Sequence, residues 1–202
     1  KIRCDGGKIF FSNILKKINF DDNGNVNELI FIKKKIKVLK DDRVILAIPP
    51  TNLMKFINHL NLPVNYNTIL NIHFDVYSKD INFFTKPIVG FINSTSDWMF
   101  VKKNHLSITI SDANKYNDID SQKIADKVWK EVCMTIGKRI KFKNFQIIRE
   151  KKATYVQSPS NVTLIKNINN IPKNLILAGD WTQHNLPCTI EASIISGKRA
   201  VE

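Results

Sequence analysis

The sequence predicts an α/β chain of two interleaved parts, and three features of its order carry that prediction. It opens on short β-rich runs separated by turn residues, up to residue 48. A middle block then mixes strand-like segments with one strongly periodic helix at 118–135. Finally a buried-type strand at 174–180 feeds directly into a helix. A sheet that is left and rejoined late implies a first domain interrupted by a second. The expected boundaries are 1–52 and 172–202 for the outer part, with 53–171 forming an inner α+β part on a mixed sheet.

Each element has its own warrant. Lys8 to Phe20 is an apolar, β-rich run, and Asp21-Asp22-Asn23-Gly24-Asn25 turns the chain because Asn-Gly supplies φ > 0. Val26 to Ile32 returns as a strand, and Lys33 to Lys40 alternates apolar and charged residues, as a half-exposed strand does. Arg43 to Ile48 is continuously apolar, the pattern of a strand buried on both faces, and Pro49-Pro50 stops it. Thr51 is the expected N-cap of a short helix whose stripe is Leu53, Met54, Phe56, Ile57 and Leu60. Strands are predicted at 68–76, 88–92, 98–101 and 106–111, then at 145–148 and 154–156. Between the two sets lies the helix of Ile119, Ile124, Val128, Trp129, Val132 and Ile136, with Gly137 as its C-terminal cap. Residues 157–172 read as loop with a weak helix, and 187–201 as the last helix.

Composition excludes several classes. No apolar stretch approaches the ~18 residues of a membrane-spanning helix, and no apolar leader follows Lys1. The net charge of +13 comes from lysines scattered along the chain with abundant Asn and Ile. That is the pattern of compositional drift rather than of a nucleic-acid surface, so no nucleic-acid partner is expected, although an anionic membrane surface would attract such a chain. Cys4, Cys133 and Cys188 form no zinc or disulfide spacing, which fits a reducing, cytoplasmic setting. The histidines (His59, His73, His105, His184) are dispersed, so no metal is expected.

The strongest local signal is Leu177-Ala-Gly-Asp-Trp-Thr182, followed by Leu186-Pro187 and Thr189-Ile-Glu191, then Ser196-Gly197. A buried strand ending in Gly-Asp places polar groups at the carboxyl edge of a sheet, where α/β folds bind ligands. The following helix aims free N–H groups at the same place. A plain strand–turn–helix with Asp180 as a cap explains these residues equally well.

This stretch resembles the C-terminal motif of the flavin-containing amine oxidase and phytoene desaturase superfamily, and is similar to that of its squalene-associated dehydroxylase branch. Val44-Ile-Leu-Ala-Ile-Pro-Pro50, Ile69-Leu-Asn-Ile-His-Phe74, Trp98-Met-Phe100 and Glu150-Lys-Lys-Ala-Thr154 resemble further family segments, so the likeness spans the chain. Asn185 stands where Gly is usual, Cys188 where Ala is usual, and Ala192-Ser193 where the pattern has Gly-Ala. No G-x-G-x-x-G follows a strand, although the family carries one near its start. The resemblance therefore implies the C-terminal portion of a longer FAD protein, whose missing N-terminal portion completes a Rossmann-like cofactor domain.

By that resemblance the outer part is the FAD domain and the inner part binds substrate. Gly179, Asp180 and Trp181 would form the flavin-facing turn, with Asp180 near the ribityl or phosphate region. Thr189, Ile190 and Glu191 would present the helix N-terminus to the pyrimidine carbonyl. Leu15 would meet the adenine through its main chain, or is simply strand core. His73, Trp98 and Phe100 would line a substrate pocket, with Phe74, Phe83, Phe84 and Phe91 as further aromatic lining of an apolar tunnel; the alternative places His73 and most of these aromatics in a core. The implied substrate is an apolar isoprenoid, with hydroxysqualene reduced to squalene, in a protein that touches the inner face of the membrane peripherally. The rivals are an amine oxidase and a non-catalytic flavoprotein remnant. Amine oxidation expects an aromatic wall where this chain has Thr189, which offers a cation no π face.

Overall fold

The computed structural model describes residues 5–202, which form two compact units. The outer unit takes the described residues up to Val64 and then Gln157–Glu202; the inner unit is Asn65–Val156. In chain order the strands are β1 (Leu15–Phe20), β2 (Val26–Phe31), β3 (Lys35–Lys37), β4 (Val44–Leu46), β5 (Tyr66–Val76), β6 (Ile88–Gly90), β7 (Trp98–Lys102), β8 (His105–Ile110), β9 (Phe142–Tyr155) and β10 (Leu175–Leu177). The helices are α1 (Pro50–Leu53), α2 (Ser78–Ile81), α3 (Ser121–Ile136), α4 (Pro159–Lys166) and α5 (Ile190–Arg199).

The chain changes unit at 64/65 and 156/157, not at the expected 52/53 and 171/172. Leu53, Ile57, Leu60 and Leu62 are buried, and His59 Nε2 lies 3.1 Å from the Asn170 carbonyl, so both flanking segments belong to the outer unit. The expected Thr51 cap is not used. The helix instead starts after Pro49 with Pro50 in its first turn, where a fixed φ suits the helix and no N–H is missed.

In the outer unit β1, β2 and β3 form an antiparallel meander. Asp21 Oδ1 accepts from the N–H groups of Asn23 and Asn25, and Gly24 takes φ +77° to close the hairpin. The first strand begins at Leu15 rather than Lys8, because Ser12 at φ +52° interrupts the run. Strands β4 and β10 pair in parallel, Val44 with Leu175 and Leu46 with Leu177. Burial of β4 on both faces is not found: Val44 and Leu46 are buried, but Ile45 is 41% exposed because a two-stranded pair covers one face only.

The meander is tied to this pair by one side chain. Asn174 Oδ1 accepts from the Val26 N–H at 2.9 Å and its Nδ2 donates to the Val26 carbonyl at 2.8 Å. The Asn174 carbonyl accepts from Val44 N–H at 2.8 Å. Val26 is buried, so the amide supplies the pairing that a neighbouring strand would otherwise give.

The inner unit is a five-stranded sheet in the order β6-β7-β8-β5-β9. Every pair is antiparallel, which corrects the expected mixed sheet. Its connections are too short for the crossover that a parallel neighbour needs, apart from the one carrying α3, and β9 after that helix runs antiparallel to β5. Phe142–Tyr155 is one strand where two short ones were expected; its interior lysines sit on a sheet edge, where charge is tolerated.

Helix α3 covers one face. The Asp120 carboxylate accepts from Lys123 N–H at 3.1 Å, and Gly137 ends the helix at φ +66°. Its period sets Ile124, Ala125, Val128, Trp129 and Val132 against Leu70, Ile72, Phe74 and Val76 of β5 and Met99, Leu106 and Ile108 of the next strands. Phe74 packs 4.9 Å from Trp129 and 5.1 Å from Phe142, ring centre to ring centre. Burial of each such side chain stabilises the unit by about 1.5–3 kcal/mol. Phe74 is thus core, whereas Trp98 and Phe100 are 49% and 36% exposed on the other face.

Glu131 of α3 holds the loop before β7. Its two oxygens accept from Thr95 N–H at 2.9 Å, Ser96 N–H at 3.0 Å and the Ser96 hydroxyl at 2.6 Å. Burial alone would raise this carboxyl, but hydrogen bonds from Ser96, Ser94 and Thr95 outweigh it and hold the group below its ordinary value.

Candidate functional site

After β10 the chain passes Ala178 and Gly179 into a tight 3-10 turn, Asp180–Thr182, and then reaches α5. Gly179 has φ +144° and ψ 162°, a region that residues with a Cβ avoid. A Cβ there would sit 2.7 Å from Trp181 Nε1 and 2.8 Å from its Cδ1. Trp181 is buried and donates from Nε1 to the Ile48 carbonyl at 2.9 Å, which pins the turn to the end of β4.

The turn is fastened to α5 by hydroxyls. Ser196 Oγ accepts from Gly179 N–H at 2.8 Å and lies 2.9 Å from Thr182 Oγ1, which itself donates to the Gly179 carbonyl at 2.8 Å. Buried Gln183 accepts from Arg199 Nη1 at 2.6 Å. The buried residues of α5 are Ala192 and Ser196, followed by the buried C-cap Ala200, and the methyl at Ala192, where the family pattern has Gly, fits with no exposure at all. Asn185, the other Gly substitute, does not take a positive φ.

Asp180 is half-buried, and its Oδ1 accepts from Trp181 N–H at 2.9 Å. Its second oxygen has no partner among the described residues. Thr189 is the N-cap of α5, accepting from Ala192 N–H at 3.2 Å. The amides of Ile190 and Glu191 precede the first intrahelical bond and have no acceptor among the described residues; both residues are exposed. Gly179, Asp180, Trp181, Thr189, Ile190 and Glu191 therefore lie together on one strand–turn–helix. Leu15 does not join them by any hydrogen bond among the described residues: it stands at the start of β1, half-buried, opposite Phe31.

The second grouping is the sheet face opposite α3. Strand register sets its side chains in rows: Ile88, Phe100, Ser107, His73 and Gln146; then Gly90, Trp98, Thr109, Asn71 and Ile148; then Lys102, His105, Asp75 and Asn144. His73, Trp98 and Phe100 thus share one face, with an apolar side along β6 and β7 and a polar side along β8 and β5. Ser107 Oγ lies 3.0 Å from His73 Nδ1, and His105 Nε2 lies 3.3 Å from the same nitrogen. His105 Nδ1 is 3.4 Å from Asp75 Oδ1, and Thr109 donates to Asn71 at 2.8 Å. Burial holds the His73 imidazole below its usual value, aided by the adjacent His105 and by Lys102.

Some of these residues carry no local signal. Asn174 reads only as the first residue of the buried strand at 174–180, and Ser196 only as part of the Ser-Gly pair in the last helix, with nothing to mark either as a tie. Alternation along β5 puts Asn71, His73 and Asp75 on one side, but the pairing with His105 and Ser107 depends on a register set by strands distant in sequence. Among the described residues no three His, Cys, Asp or Glu side chains gather as a metal site, and no helix is long and apolar enough to cross a membrane. Among the described residues Cys133 and Cys188 are not joined to each other; Cys4 lies outside the described residues.

Comparison with known proteins gives a consistent result. The hydroxysqualene dehydroxylase of Sinorhizobium fredii is 35% identical over 177 residues, covering 88% of this chain and 42% of that protein. The hydroxysqualene dehydroxylase of Zymomonas mobilis is 29% identical over 212 residues, covering all of this chain and 48% of its own length. The chain spans less than half the length of these relatives. Among solved structures, an oxidoreductase from Methanosarcina mazei superposes with a TM-score of 0.69 at 13% identity, covering 99% of this chain and 51% of that one. Putrescine oxidase superposes with a TM-score of 0.66 at 8% identity, covering 98% and 50%. The two superpositions establish the fold. The family profile described as flavin containing amine oxidoreductase matches residues 3–202, and the chain belongs to that family.

Proposed function

We propose that the full-length protein is an FAD-dependent oxidoreductase acting on a long isoprenoid alcohol, with reductive dehydroxylation of hydroxysqualene to squalene as its reaction. The observation that carries this reading is the Gly179–Asp180 turn beside the N-terminus of α5. It offers one acceptor oxygen and two N–H donors without partners among the described residues, the complement of a flavin's ribityl hydroxyls and pyrimidine carbonyl. Asp180 would hold the ribityl or phosphate region, the amides of Ile190 and Glu191 would face the pyrimidine oxygen, and Leu15 would contribute its main chain at the adenine. When bound, the flavin supplies the hydride. The helix N-terminus favours negative charge developing on that oxygen.

Two further observations support the substrate class. Thr189 spends its hydroxyl on capping α5 and brings no aromatic wall for an amine. The open sheet face pairs apolar Ile88, Trp98 and Phe100 with a narrow polar strip, suited to a hydrocarbon chain bearing one hydroxyl.

The test is a visible spectrum of the full-length protein. Stoichiometric bound FAD is expected, and Asp180→Ala should weaken flavin affinity about tenfold or more, the worth of a charge-assisted hydrogen bond. Anaerobic turnover of reduced protein with hydroxysqualene, set against amines with oxidised protein, then decides the substrate. A folded protein that takes up no FAD refutes the reading.

A further inference from the structure

Charge that is spread along most of the chain gathers at the end of α3. From Lys130 to Lys143 the sequence carries five cations (Lys130, Lys138, Arg139, Lys141 and Lys143) and one acid, Glu131. The Glu131 oxygens are occupied by Thr95 and Ser96, and none of the five cations forms an ion pair among the described residues.

Local structure turns this stretch into a rimmed cleft. Gly137 leaves α3 at φ +66°, and Lys138 N–H returns to the Cys133 carbonyl at 3.2 Å, so the chain doubles back at the helix end. Buried Trp129 donates from Nε1 to the Ile140 carbonyl at 2.8 Å, which fixes the returning segment against α3. Between helix and segment lies a cleft of about 660 Å³, walled by Trp129, Cys133, Met134 and Ile140. Lys130, Lys138, Arg139 and Lys141 border it, all four exposed, and no carboxylate does. Met134 is 73% exposed, an apolar side chain standing in water beside four cations. The patch continues onto the segment after β5. Lys138 Nζ lies 3.9 Å from the Phe83 ring centre and Lys143 Nζ 4.8 Å from that of Tyr77, and both rings are exposed. Asp80, the one acid between those rings in sequence, is offset by Lys79.

We infer that this cleft and its basic rim are the surface by which the protein docks on the anionic leaflet of a bilayer. The cations meet lipid phosphates, while Met134 and the cleft walls meet acyl chain. A basic surface alone would serve a nucleic acid as well, but bases need open aromatic faces on which to stack. Here Trp129 is buried, and Phe83 and Tyr77 each carry a lysine over the ring. An apolar cleft alone would serve a small ligand or a partner helix, neither of which calls for four unpaired cations around it. Phosphates above hydrocarbon are what a lipid leaflet presents, and an apolar side chain flanked by Lys and Arg is what an interfacial anchor supplies. The whole patch lies in the inner unit, and the inference holds whatever reaction the protein carries out.

The experiment is sedimentation of the full-length protein with phospholipid vesicles, a readout that does not pass through the flavin. Binding is expected to mixed phosphatidylcholine–phosphatidylglycerol vesicles, with little to phosphatidylcholine alone. It should vanish at about 1 M salt, where the Debye length is only about 3 Å. Each Lys or Arg at an anionic surface is worth about fivefold in binding, so Lys130→Gln, Lys138→Gln, Arg139→Gln and Lys141→Gln combined should weaken it about 100-fold or more. Removing the same charge from exposed Lys16, Lys17, Lys35 and Lys37 of the β1–β3 meander should weaken it less than about threefold. Met134→Ser, which leaves the charge untouched, should cost about tenfold. Mild peroxide oxidation of Met134, followed by mass spectrometry, reports access: the free protein should be oxidised there and the vesicle-bound protein protected. Equal losses from the two lysine sets would make net charge the cause and overturn the patch. A Met134 already shielded in the free full-length protein would mean that other parts of the chain fill the cleft, and overturns it too. Single-stranded RNA that protects Met134 as well as vesicles do overturns the choice of a bilayer.

Discussion

Replacing Gly179 with Ala tests how the turn after β10 is built. Two costs arise from the geometry. The backbone at φ +144° and ψ 162° is essentially restricted to glycine, and forcing alanine into it costs about 1–3 kcal/mol. The new Cβ would also lie 2.7 Å from Trp181 Nε1, so the indole must move and strain or lose its bond to the Ile48 carbonyl. A buried hydrogen bond lost in this way costs about 1–3 kcal/mol. The expected destabilisation is therefore about 2–6 kcal/mol, measured by urea unfolding of the full-length protein followed by tryptophan fluorescence. A cycle separates the two costs: in a Trp181→Ala background the clash is absent, and Gly179→Ala should cost about 2 kcal/mol less. A Gly179→Ala protein within 1 kcal/mol of wild type, or strictly additive double variants, would refute this account of the turn.

Two other perturbations probe the units separately. Glu131→Ala leaves the buried Ser96 N–H without an acceptor and should destabilise the inner unit by about 2 kcal/mol at pH 7. Since the folded-state carboxyl lies below its ordinary value, its contribution is present above the ordinary glutamate range and fades as pH falls through the folded value. Wild type should therefore lose more stability than Glu131→Ala on acidification, as unfolding curves at pH 7 and pH 4 would show. Asn174→Ala removes both bonds to the buried Val26 backbone and should cost about 2–4 kcal/mol, with hydrogen exchange at Val26 accelerated.

Much of this was legible in residue order because it is local. The Asp21–Gly24 turn, the stripe and glycine cap of α3, and the strand–turn–helix around Asp180 each depend on residues within a few positions of one another. Register is not local. That Ser107 opposes His73, or that His105 opposes Asp75, depends on how β8 aligns with β5, and no short window holds that information. The same holds for Asn174, whose value lies in a strand 148 residues away in sequence. The antiparallel order of the inner sheet is not legible in the sequence, because runs of alternation give strand content without strand direction. The exposure of Ile45 on β4 is likewise not legible, because an apolar run reveals hydrophobicity but not the number of neighbours.

The parallel pairing of β4 with β10 also dictates an order of events during synthesis. Val44 and Leu46 leave the ribosome long before Leu175 and Leu177, whose arrival they require. At ordinary elongation rates the wait is roughly ten seconds or more. The inner unit is continuous in sequence and can close in the meantime. Through that interval β4 presents an unpaired, apolar edge to the cell, a surface for chaperones to shield and for aggregation to exploit. A cell that slowed translation between β4 and β10 would lengthen the exposure, and substitutions on β4 that leave the finished protein unchanged could still alter how much of it survives to be finished.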